Sequence, residues 1–399
     1  MFLCSAVMIR NLKIKVSNRL WRIVKDFFYY QRTDEFPFVL NINFKETSVQ
    51  KKALVCYQTN CYFKPLDSTD QRRTQPFEII SIINSFIESN YVIDLIDCSE
   101  SRIPPAILKK KYDLIFGFGD SHYIMTNLNP EARSVLYMTE NTPEFSYREE
   151  KKRLDYYYER HGRRHKIIRS GMFYKKHHLE KTYSYVITMG ETELLKEKYP
   201  EPFSIFPTGL INSQFTFGFK NHEITRKNFL WFGSLGAIHK GLDLLIDVFK
   251  EKDDIVLHIC GLSDFERKLL KVPASENIVN HGYVFVSSDN FLKLVQTCSF
   301  IILPSCSEGC STSVLTGMLH GLIPVVMKDS GFNRLEDNAF FLESYKIEYL
   351  SARINELSNI NPNELSLLSR KVYEFALRNF TLKSFSENIR RILKNNIGI

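Results

Sequence analysis

Apolar runs alternate with amphipathic segments along most of the chain, and this alternation predicts the secondary structure. Short runs rich in Val, Ile, Leu and Phe are typical of buried strands, whereas apolar residues spaced three and four apart are typical of helices. In the first half, strands are predicted at 52–57, 91–96, 112–117, 134–138, 185–188 and 203–207, and helices at 76–89 and 191–198. In the second half, strands are predicted at 229–232, 255–260, 278–279, 300–303 and 323–327, and helices at 242–250 and 311–320.

The polar stretch 220–228 divides these elements into two series. Strands that alternate with helices form parallel sheets, so each series predicts a doubly wound, Rossmann-like α/β domain. We expect a basic N-terminal segment (1–50), an N-terminal domain (51–220), a C-terminal domain (221–375) and a final helix (376–399) that could cross back to the N-terminal domain. The carboxyl ends of both sets of strands would face one cleft, which is where such folds bind their ligands.

The composition agrees with a folded protein of two domains. The chain has 399 residues, which is long for one core, and its 44% hydrophobic and 25% charged residues are close to the averages of globular proteins. The eight cysteines are scattered without a CxxC pair, which favours reduced thiols over a disulfide framework or a metal site. No apolar stretch reaches the roughly 20 residues of a membrane span, and the N-terminus lacks a signal-peptide pattern. We therefore expect a cytoplasmic protein.

The net charge of +8 lies in two segments. Residues 1–50 contain eight basic and four acidic side chains, and residues 148–176 contain eleven basic and four acidic ones. The net charge of all other residues is therefore −3. In the first segment, apolar residues recur at helical spacing among the cations, as in an amphipathic helix at a membrane interface; the second mixes cations with tyrosines. Both favour an anionic membrane surface as partner, with a solvated basic face as the alternative. Nucleic acid is not expected, because no module that binds it accompanies the charge.

A glycine-rich turn spans residues 233–241, between the strand at 229–232 and the helix at 242–250. Glycines allow a ligand to approach the backbone closely, and a helix N-terminus favours an anion. Lys240 could add a point charge for a phosphate. Many such turns serve only to pack a helix on a strand, so this turn alone leaves both readings open.

A second turn, at residues 304–313, places Glu308 before Gly309 and a run of hydroxyl residues at a predicted helix start. Backbone N–H groups there could receive a phosphate, while the carboxylate accepts hydrogen bonds from sugar hydroxyls. Taken alone, these residues could equally be a plain N-cap and a solvated acid. Two further glycines, Gly261 and Gly282, follow strands at the same predicted edge, and the second is followed by Tyr283 and Val284.

The order, spacing and strand context of these turns resemble the C-terminal domain of retaining GT-B glycosyltransferases, of glycosyltransferase family 4 or "glycosyl transferases group 1" type. The resemblance is strongest over 229–331 and continues more weakly over 185–210. It implies the GT-B architecture, two Rossmann-like domains facing across a cleft. It also implies a hexosyltransferase activity that takes a nucleotide sugar as co-substrate and needs no metal or other cofactor.

The resemblance further implies roles for individual residues. Lys240 would contact the donor diphosphate, and Glu308, the first glutamate of a Glu-x7-Glu motif, would hold hydroxyls of the transferred sugar. Glu140 is the candidate polar group near the reacting carbon, with Asp120 and His122 as the alternative. The implied donor-binding residues, of which Tyr283 to Phe285 would lie against the base, are Gly233, Ser234, Gly236, Gly261, Tyr283, Val284, Phe285, Gly309, Ser311, Thr312, Ser313 and Thr316.

Three features depart from the family pattern. Thr316 stands where the second glutamate would hold the ribose, and Ser234 stands where an arginine commonly follows the glycine. The segment 58–64 replaces a Gly-Gly loop after the first strand. An inverting enzyme would need a catalytic base in the first loop of the N-terminal domain, which offers no His and only Asp67 and Asp70, so retention is the preferred mechanism.

These observations predict a cytoplasmic enzyme, peripheral on the inner face of the membrane. It would transfer a sugar from a nucleoside-diphosphate sugar to a glycan or lipid-linked glycan acceptor, in the synthesis of cell-surface polysaccharide or lipopolysaccharide. The alternative is a non-catalytic relative that binds a glycan or a nucleotide.

Overall fold

The computed structural model describes residues 38–46, 49–62, 74–171, 174–199, 201–273 and 275–399. The amphipathic helix predicted near the N-terminus lies outside these residues, and so do Asp67 and Asp70. Among the described helices, none combines the length and the apolar character needed to cross a bilayer.

Within the described residues, the first sheet has seven strands in the order β1-β3-β2-β4-β5-β6-β7. β1 runs antiparallel to β3, and the other neighbours are parallel. The strands are β1 (Phe38–Ile42), β2 (Lys51–Tyr57), β3 (Tyr91–Asp97), β4 (Leu114–Gly117), β5 (Arg133–Met138), β6 (Tyr185–Thr188) and β7 (Phe203–Ser204). The helices of this half are α1 (Thr59–Tyr62), α2 (Gln75–Glu88), α3 (Pro105–Leu108), α4 (Gly119–Leu128), α5 (Pro143–His161) and α6 (Lys176–Glu180).

The second sheet has six parallel strands among the described residues, in the order β10-β9-β8-β11-β12-β13. The strands are β8 (Asn228–Phe232), β9 (Val256–Cys260), β10 (Ile278–Asn280), β11 (Phe300–Leu303), β12 (Ile323–Met327) and β13 (Phe340–Leu342). The helices are α7 (His222–Thr225), α8 (Leu242–Phe249), α9 (Asp264–Leu270), α10 (Asp289–Thr297), α11 (Thr312–Met318), α12 (Ile347–Ser358), α13 (Pro362–Asn379) and α14 (Leu382–Arg391). The predicted fold, two Rossmann-like parallel sheets, is thereby confirmed.

Three sequence predictions differ from the structure in the first half. β1 lies inside the segment assigned to the basic N-terminal part, so within the described residues a strand of the first sheet precedes residue 51. The strand predicted at 203–207 has only two residues. The helix predicted at 191–198 is a single 3₁₀ turn, Thr192–Leu194. Glu191, just before this turn, has an extended backbone, and its carboxylate accepts hydrogen bonds from the amides of Gly331 and Asn333 of the other half.

Two helices pack on the opposite half of the molecule. On α5, Tyr156 belongs to the core of the second half, and its hydroxyl accepts a hydrogen bond from the Ile347 amide at 3.2 Å. On α14, Phe385 and Ile389 are buried in the core of the first half, and Ser386 is hydrogen-bonded to Ser81 of α2 at 2.7 Å. The two halves are therefore held together by an exchange of helices as well as by the chain connection.

Candidate active site in the cleft

The cleft lies between the carboxyl ends of the two sheets and has a cavity volume of about 590 Å³. Loops after β2 and β5 contribute to one wall, and loops after β8, β9, β10 and β11 contribute to the other. The predicted site residues that line it are Glu140, Gly233, Ser234, Lys240, Gly261, Tyr283, Val284, Phe285, Glu308, Gly309, Ser311, Thr312, Ser313 and Thr316. The structure thus brings together residues from five separate turns.

Lys240 and Glu308 form an ion pair in the floor of the cleft. The Lys240 Nζ lies 2.5 Å from the Glu308 Oε1, and the two residues are only 5% and 7% exposed. Ser305 donates a further hydrogen bond to the same carboxylate oxygen at 2.8 Å. Burial opposes ionisation of Glu308, but the charge of Lys240 outweighs it, with help from Arg169, and lowers the pKa to about 2. Glu308 is therefore ionised at neutral pH.

Glu140 faces this pair from the first half of the molecule. Its Oε1 accepts a hydrogen bond from Nη2 of Arg169 at 3.1 Å. Burial raises the pKa of Glu140, and this effect exceeds the opposing charge of Arg169. Arg169 also lines the cleft. The sequence pattern missed it, because it is one of eleven cations in a segment interpreted as a basic surface.

Glu150 anchors the loop that carries Arg169. Its carboxylate accepts hydrogen bonds from the backbone amides of Ile168, Arg169 and Ser170 at 2.9, 3.1 and 2.7 Å. The same carboxylate lies 3.5 Å from Nδ1 of His239, the neighbour of Lys240. Burial opposes ionisation of Glu150, but His239 and the amide donors outweigh it and lower its pKa.

His239 is held from both sides of its ring. Its Nε2 lies 2.6 Å from the Ser307 carbonyl oxygen, which requires a proton on that nitrogen. Burial alone would lower the pKa of His239, but Cys306, Glu150 and Glu308 raise it to about 10. The raised pKa favours a protonated His239, which would add positive charge next to Lys240 in the chain.

Two glycines at the site have different roles. A Cβ at Gly309 would lie 1.9 Å from the Thr139 carbonyl oxygen, so only glycine lets the two halves approach so closely beside Glu308. Gly236, which was predicted to bind the donor, does not line the cleft. Its amide donates to Glu266 at 2.7 Å, so this N–H group is already engaged within the protein. A Cβ at Gly236 would lie 2.6 Å from Cγ of Arg169, so this glycine leaves room for that side chain.

Thr316, which replaces the expected second glutamate, uses its hydroxyl inside the protein. The Oγ1 donates to the Thr312 carbonyl at 2.7 Å and accepts from the Leu210 amide at 3.1 Å. It therefore cannot act as a glutamate would in holding a ribose diol. Tyr283 and Phe285 stand at the edge of the cleft, 60% and 38% exposed, and leave aromatic surface on which a base could stack.

The alternative pair Asp120 and His122 lies away from the cleft walls. His122 is buried and stacked on Tyr183, and burial lowers its pKa to about 3. Asp120 forms, with His177 and His178, the one group among the described residues whose potential metal ligands lie within 4.8 Å of one another. The Lys175 ammonium group donates hydrogen bonds to both Asp120 carboxylate oxygens at 2.7 and 2.6 Å, so a positive charge already balances this carboxylate.

Glu78 is a further cleft residue that the sequence interpretation missed. Its Oε2 accepts a hydrogen bond from the Tyr57 hydroxyl at 3.1 Å. Burial raises the pKa of Glu78 to about 7, against the effect of that hydrogen bond. The available signal was its position on the apolar face of α2, four residues before Ile82. Because carboxyl groups are rarely buried, one on an apolar helix face can indicate a functional site.

Comparison with known proteins agrees with this geometry. Residues 214–373 match the family model described as Glycosyl transferases group 1. No curated protein sequence matches the chain.

Solved structures match most of the chain at low sequence identity. Sucrose-phosphate synthase from Thermosynechococcus elongatus is 11% identical, with 88% of this chain and 99% of that chain covered and a TM-score of 0.58. HepE from Anabaena, solved in complex with UDP and glucose, is 14% identical over 87% and 100%, with a TM-score of 0.55. WaaG, a glycosyltransferase involved in lipopolysaccharide biosynthesis, is 13% identical over 86% and 99%, with a TM-score of 0.53. Residues 214–373, called the group 1 domain below, are thus similar to the glycosyl transferases group 1 family, and the chain has the GT-B architecture of glycosyltransferase structures.

Proposed function

We propose that the protein transfers a sugar from a nucleoside-diphosphate sugar to a glycan or lipid-linked glycan acceptor with retention of configuration. The observation that carries the proposal is the buried Lys240–Glu308 ion pair, which lies in the cleft at the point where the group 1 domain faces the first domain. The HepE structure, with UDP and glucose bound, supports the class of donor. WaaG supports an acceptor in cell-surface polysaccharide or lipopolysaccharide synthesis.

In this reaction the bond between the anomeric carbon and the diphosphate oxygen breaks. A bond from the acceptor hydroxyl oxygen forms on the same face of the sugar, and the acceptor proton passes to the departing diphosphate. Lys240 stabilises the charge that develops on the diphosphate, because a cation in a buried site acts strongly on charge formed in the transition state. Glu308, ionised through its contact with Lys240, accepts hydrogen bonds from sugar hydroxyls and orients the ring. No metal is assigned a part in this scheme.

We place the acceptor on an anionic membrane at the cytoplasmic face. The support is the basic segment 148–176, all of whose basic residues the structure describes. Eight of these eleven side chains are exposed: Arg148, Lys151, Lys152, Arg163, Arg164, Lys166, Lys175 and Lys176. Positive side chains near an anionic surface each contribute about 1 kcal/mol of attraction.

The test is donor turnover by the purified full-length chain. It is incubated with UDP-glucose, GDP-glucose and ADP-glucose, while donor hydrolysis and the melting temperature are measured. We expect one donor to be hydrolysed slowly and its nucleoside diphosphate to raise the melting temperature. Replacing Lys240 with Ala should lower turnover more than tenfold, since one lost electrostatic stabiliser costs about 2 to 4 kcal/mol in the transition state.

Lys268→Ala, an exposed lysine on α9, is the matched control and should keep full turnover. The ligand-free melting temperature of each variant reports whether it folds. Full turnover in folded K240A would remove Lys240 from the mechanism.

The second candidate is a non-catalytic relative that binds a nucleotide or a glycan. The specific observation in its favour is that Thr316 stands where a carboxylate would hold the ribose. The Thr316 hydroxyl is engaged with Thr312 and Leu210 instead. Stabilisation by a nucleotide without hydrolysis or transfer of any donor would favour this candidate over the enzyme.

A further inference from the structure

Two cationic side chains, Lys240 and Arg169, are among the described residues that line the cleft. They come from different halves of the molecule: Lys240 from the turn after β8, and Arg169 from the loop after α5. We propose that Arg169 is the second cation that holds the donor diphosphate, in the place left by Ser234. The proposal rests on the proposed function, because it assumes a nucleoside-diphosphate donor. It assigns a donor contact to the first half of the chain, outside the group 1 domain at 214–373.

The side chain of Arg169 crosses from its own loop to the glycine-rich turn. Its Cγ lies against Gly236, where a Cβ would be only 2.6 Å away. Its guanidinium reaches Glu140 at 3.1 Å. Its charge also acts on Glu308, where it helps Lys240 to lower the pKa of that carboxyl. The Arg169 side chain therefore lies against the same turn that carries Lys240.

The guanidinium has hydrogen-bonding capacity to spare. Arginine presents five N–H donors in a planar fork that matches phosphate oxygens. Among the described residues, Glu140 is its hydrogen-bond partner, and the buried Nε has none. The side chain is 21% exposed, so a ligand in the cleft can reach it. A diphosphate would satisfy donors that the protein leaves open.

The present partner of Arg169 is a single carboxyl group, that of Glu140, at 3.1 Å. Burial raises the pKa of Glu140, which means that the site disfavours the ionised form of that carboxyl. A diphosphate carries more negative charge than one carboxylate and offers several acceptor oxygens. We therefore expect Arg169 to exchange Glu140 for the diphosphate when the donor binds.

Glu150 is the positioning residue for this arrangement. It fixes the backbone of residues 168–170 through three amide hydrogen bonds. It also contacts His239, whose neighbour is Lys240. One buried carboxylate therefore ties the loop of Arg169 to the turn of Lys240 and keeps both cations facing the same point before a ligand arrives.

The test measures binding of UDP, GDP and ADP to the full-length chain by calorimetry, together with the nucleoside of whichever nucleotide binds. In R169A we expect at least a tenfold loss of affinity for the nucleoside diphosphate and less than a twofold change for the nucleoside. R169K, which keeps the charge but loses the fork, should lie between wild type and R169A. Arg378→Ala, an exposed arginine on α13, is the matched control and should bind as wild type does.

A relocation variant separates diphosphate binding from a merely structural role. Adding Ser234→Arg to R169A places a guanidinium on the other side of the same turn. We expect it to recover most of the lost affinity, whereas an Arg169 that only supports Glu140 would not be replaced in this way. If wild type binds none of the three nucleotides, the proposed function fails. If wild type binds one and R169A binds it equally well, only the present inference is overturned.

Discussion

Glu78 is a buried carboxyl group in the wall that the first half of the molecule contributes to the cleft, and a hydroxyl group faces it. Its hydrogen-bond partner among the described residues is Tyr57, a residue whose own pKa is raised well above the usual value by burial and by Glu78. Ionisation of Glu78 is therefore opposed by the loss of water, and its pKa rises from 4.5 to about 7. The group changes charge in the range in which most enzymes work.

This shift predicts a dependence of stability on pH. A raised carboxyl pKa means that the folded state holds its proton more tightly than the unfolded state, so the stability from Glu78 is full below pH 4.5 and is lost as pH rises through about 7. Glu78→Gln keeps an acceptor for Tyr57 and removes the charge. We expect it to stabilise the protein at pH 8, by about 3 kcal/mol at most, and to have little effect at pH 5.

The measurement is the melting temperature of both proteins at the two pH values. Glu144→Gln, at an exposed position on α5, is the control and should give no difference between pH values. An equal effect of E78Q at pH 5 and pH 8 would contradict a raised pKa.

At this scale the sequence indicated part of the site. Lys240 and Glu308 stand in turns whose glycines and flanking strands mark the edge of a parallel sheet, and the structure joins them at 2.5 Å. Arg169 and Glu150 have no such context. Their places depend on a loop returning from the end of α5, and charge along a chain does not tell which of many cations will turn inward.

α5 contains cations that the sequence placed on the surface and that the structure buries between the two halves. It follows β5 of the first sheet, yet its inward face packs on the second half of the molecule. Arg153 is completely buried, with its guanidinium 4.9 Å from the centre of the Tyr345 ring. Arg160 pairs with Asp243 and Asp247 of α8. Charges that the sequence suggested for a surface therefore serve an internal contact.

Removal of Arg160 should leave an uncompensated charge inside this contact. Asp243 is buried, and burial raises its pKa against the opposing charge of Arg160. We expect R160A to lower the free energy of unfolding by about 3 kcal/mol, the cost of breaking a buried ion pair from one side. Because Asp243 can then take up a proton, the loss should be larger at pH 8 than at pH 5.

Urea unfolding at both pH values measures these effects, and a double variant supplies the internal check. Adding Asp243→Asn to R160A removes the stranded charge and should recover part of the loss. Arg148→Ala, on the exposed face of the same helix, should change stability by no more than about 0.5 kcal/mol. An equally large loss of stability in R148A would show that the effect of R160A does not come from its buried ion pair.

The elements themselves followed from the apolar pattern wherever both faces of a strand are covered. β11 is buried along its whole length and was placed correctly at 300–303. β1 was missed, because an edge strand with partly exposed residues and asparagines lacks a continuous apolar run. The apolar spacing of 191–198 favoured a helix, but the contacts of Glu191 with the other half overrode that local preference.

For the molecule as a whole, the position of the charge is more informative than its sum. Of the eleven cations in 148–176, Arg153, Arg160 and Arg169 point inward and the others are exposed. The proposed membrane surface therefore depends on a smaller set than the sequence suggested. Arg163 and Arg164 are exposed neighbours in the loop after α5 and are suitable for testing it.

We expect the full-length protein to float with vesicles of phosphatidylcholine and phosphatidylserine at low salt, and less at physiological salt because exposed charges are screened. Reversing Arg163 and Arg164 to Glu should reduce the bound fraction by about fivefold or more, given about 1 kcal/mol per basic residue. Lys268→Glu with Lys293→Glu, an exposed pair on the second half, is the matched control. No flotation at either salt concentration would leave the segment as a solvated basic face.

The exchange of α5 and α14 between the two halves determines where the chain could be cut to give fragments with covered cores. A fragment cut to the limits of the group 1 domain would lack α5, and the surface around Asp243, Tyr345 and Ile347 that this helix covers would be open to water. The first half alone would likewise lack α14 and expose the core that Phe385 and Ile389 complete. An exchange of group 1 domains between this protein and a relative would therefore have to carry α5 along with the incoming half, and leave α14 behind.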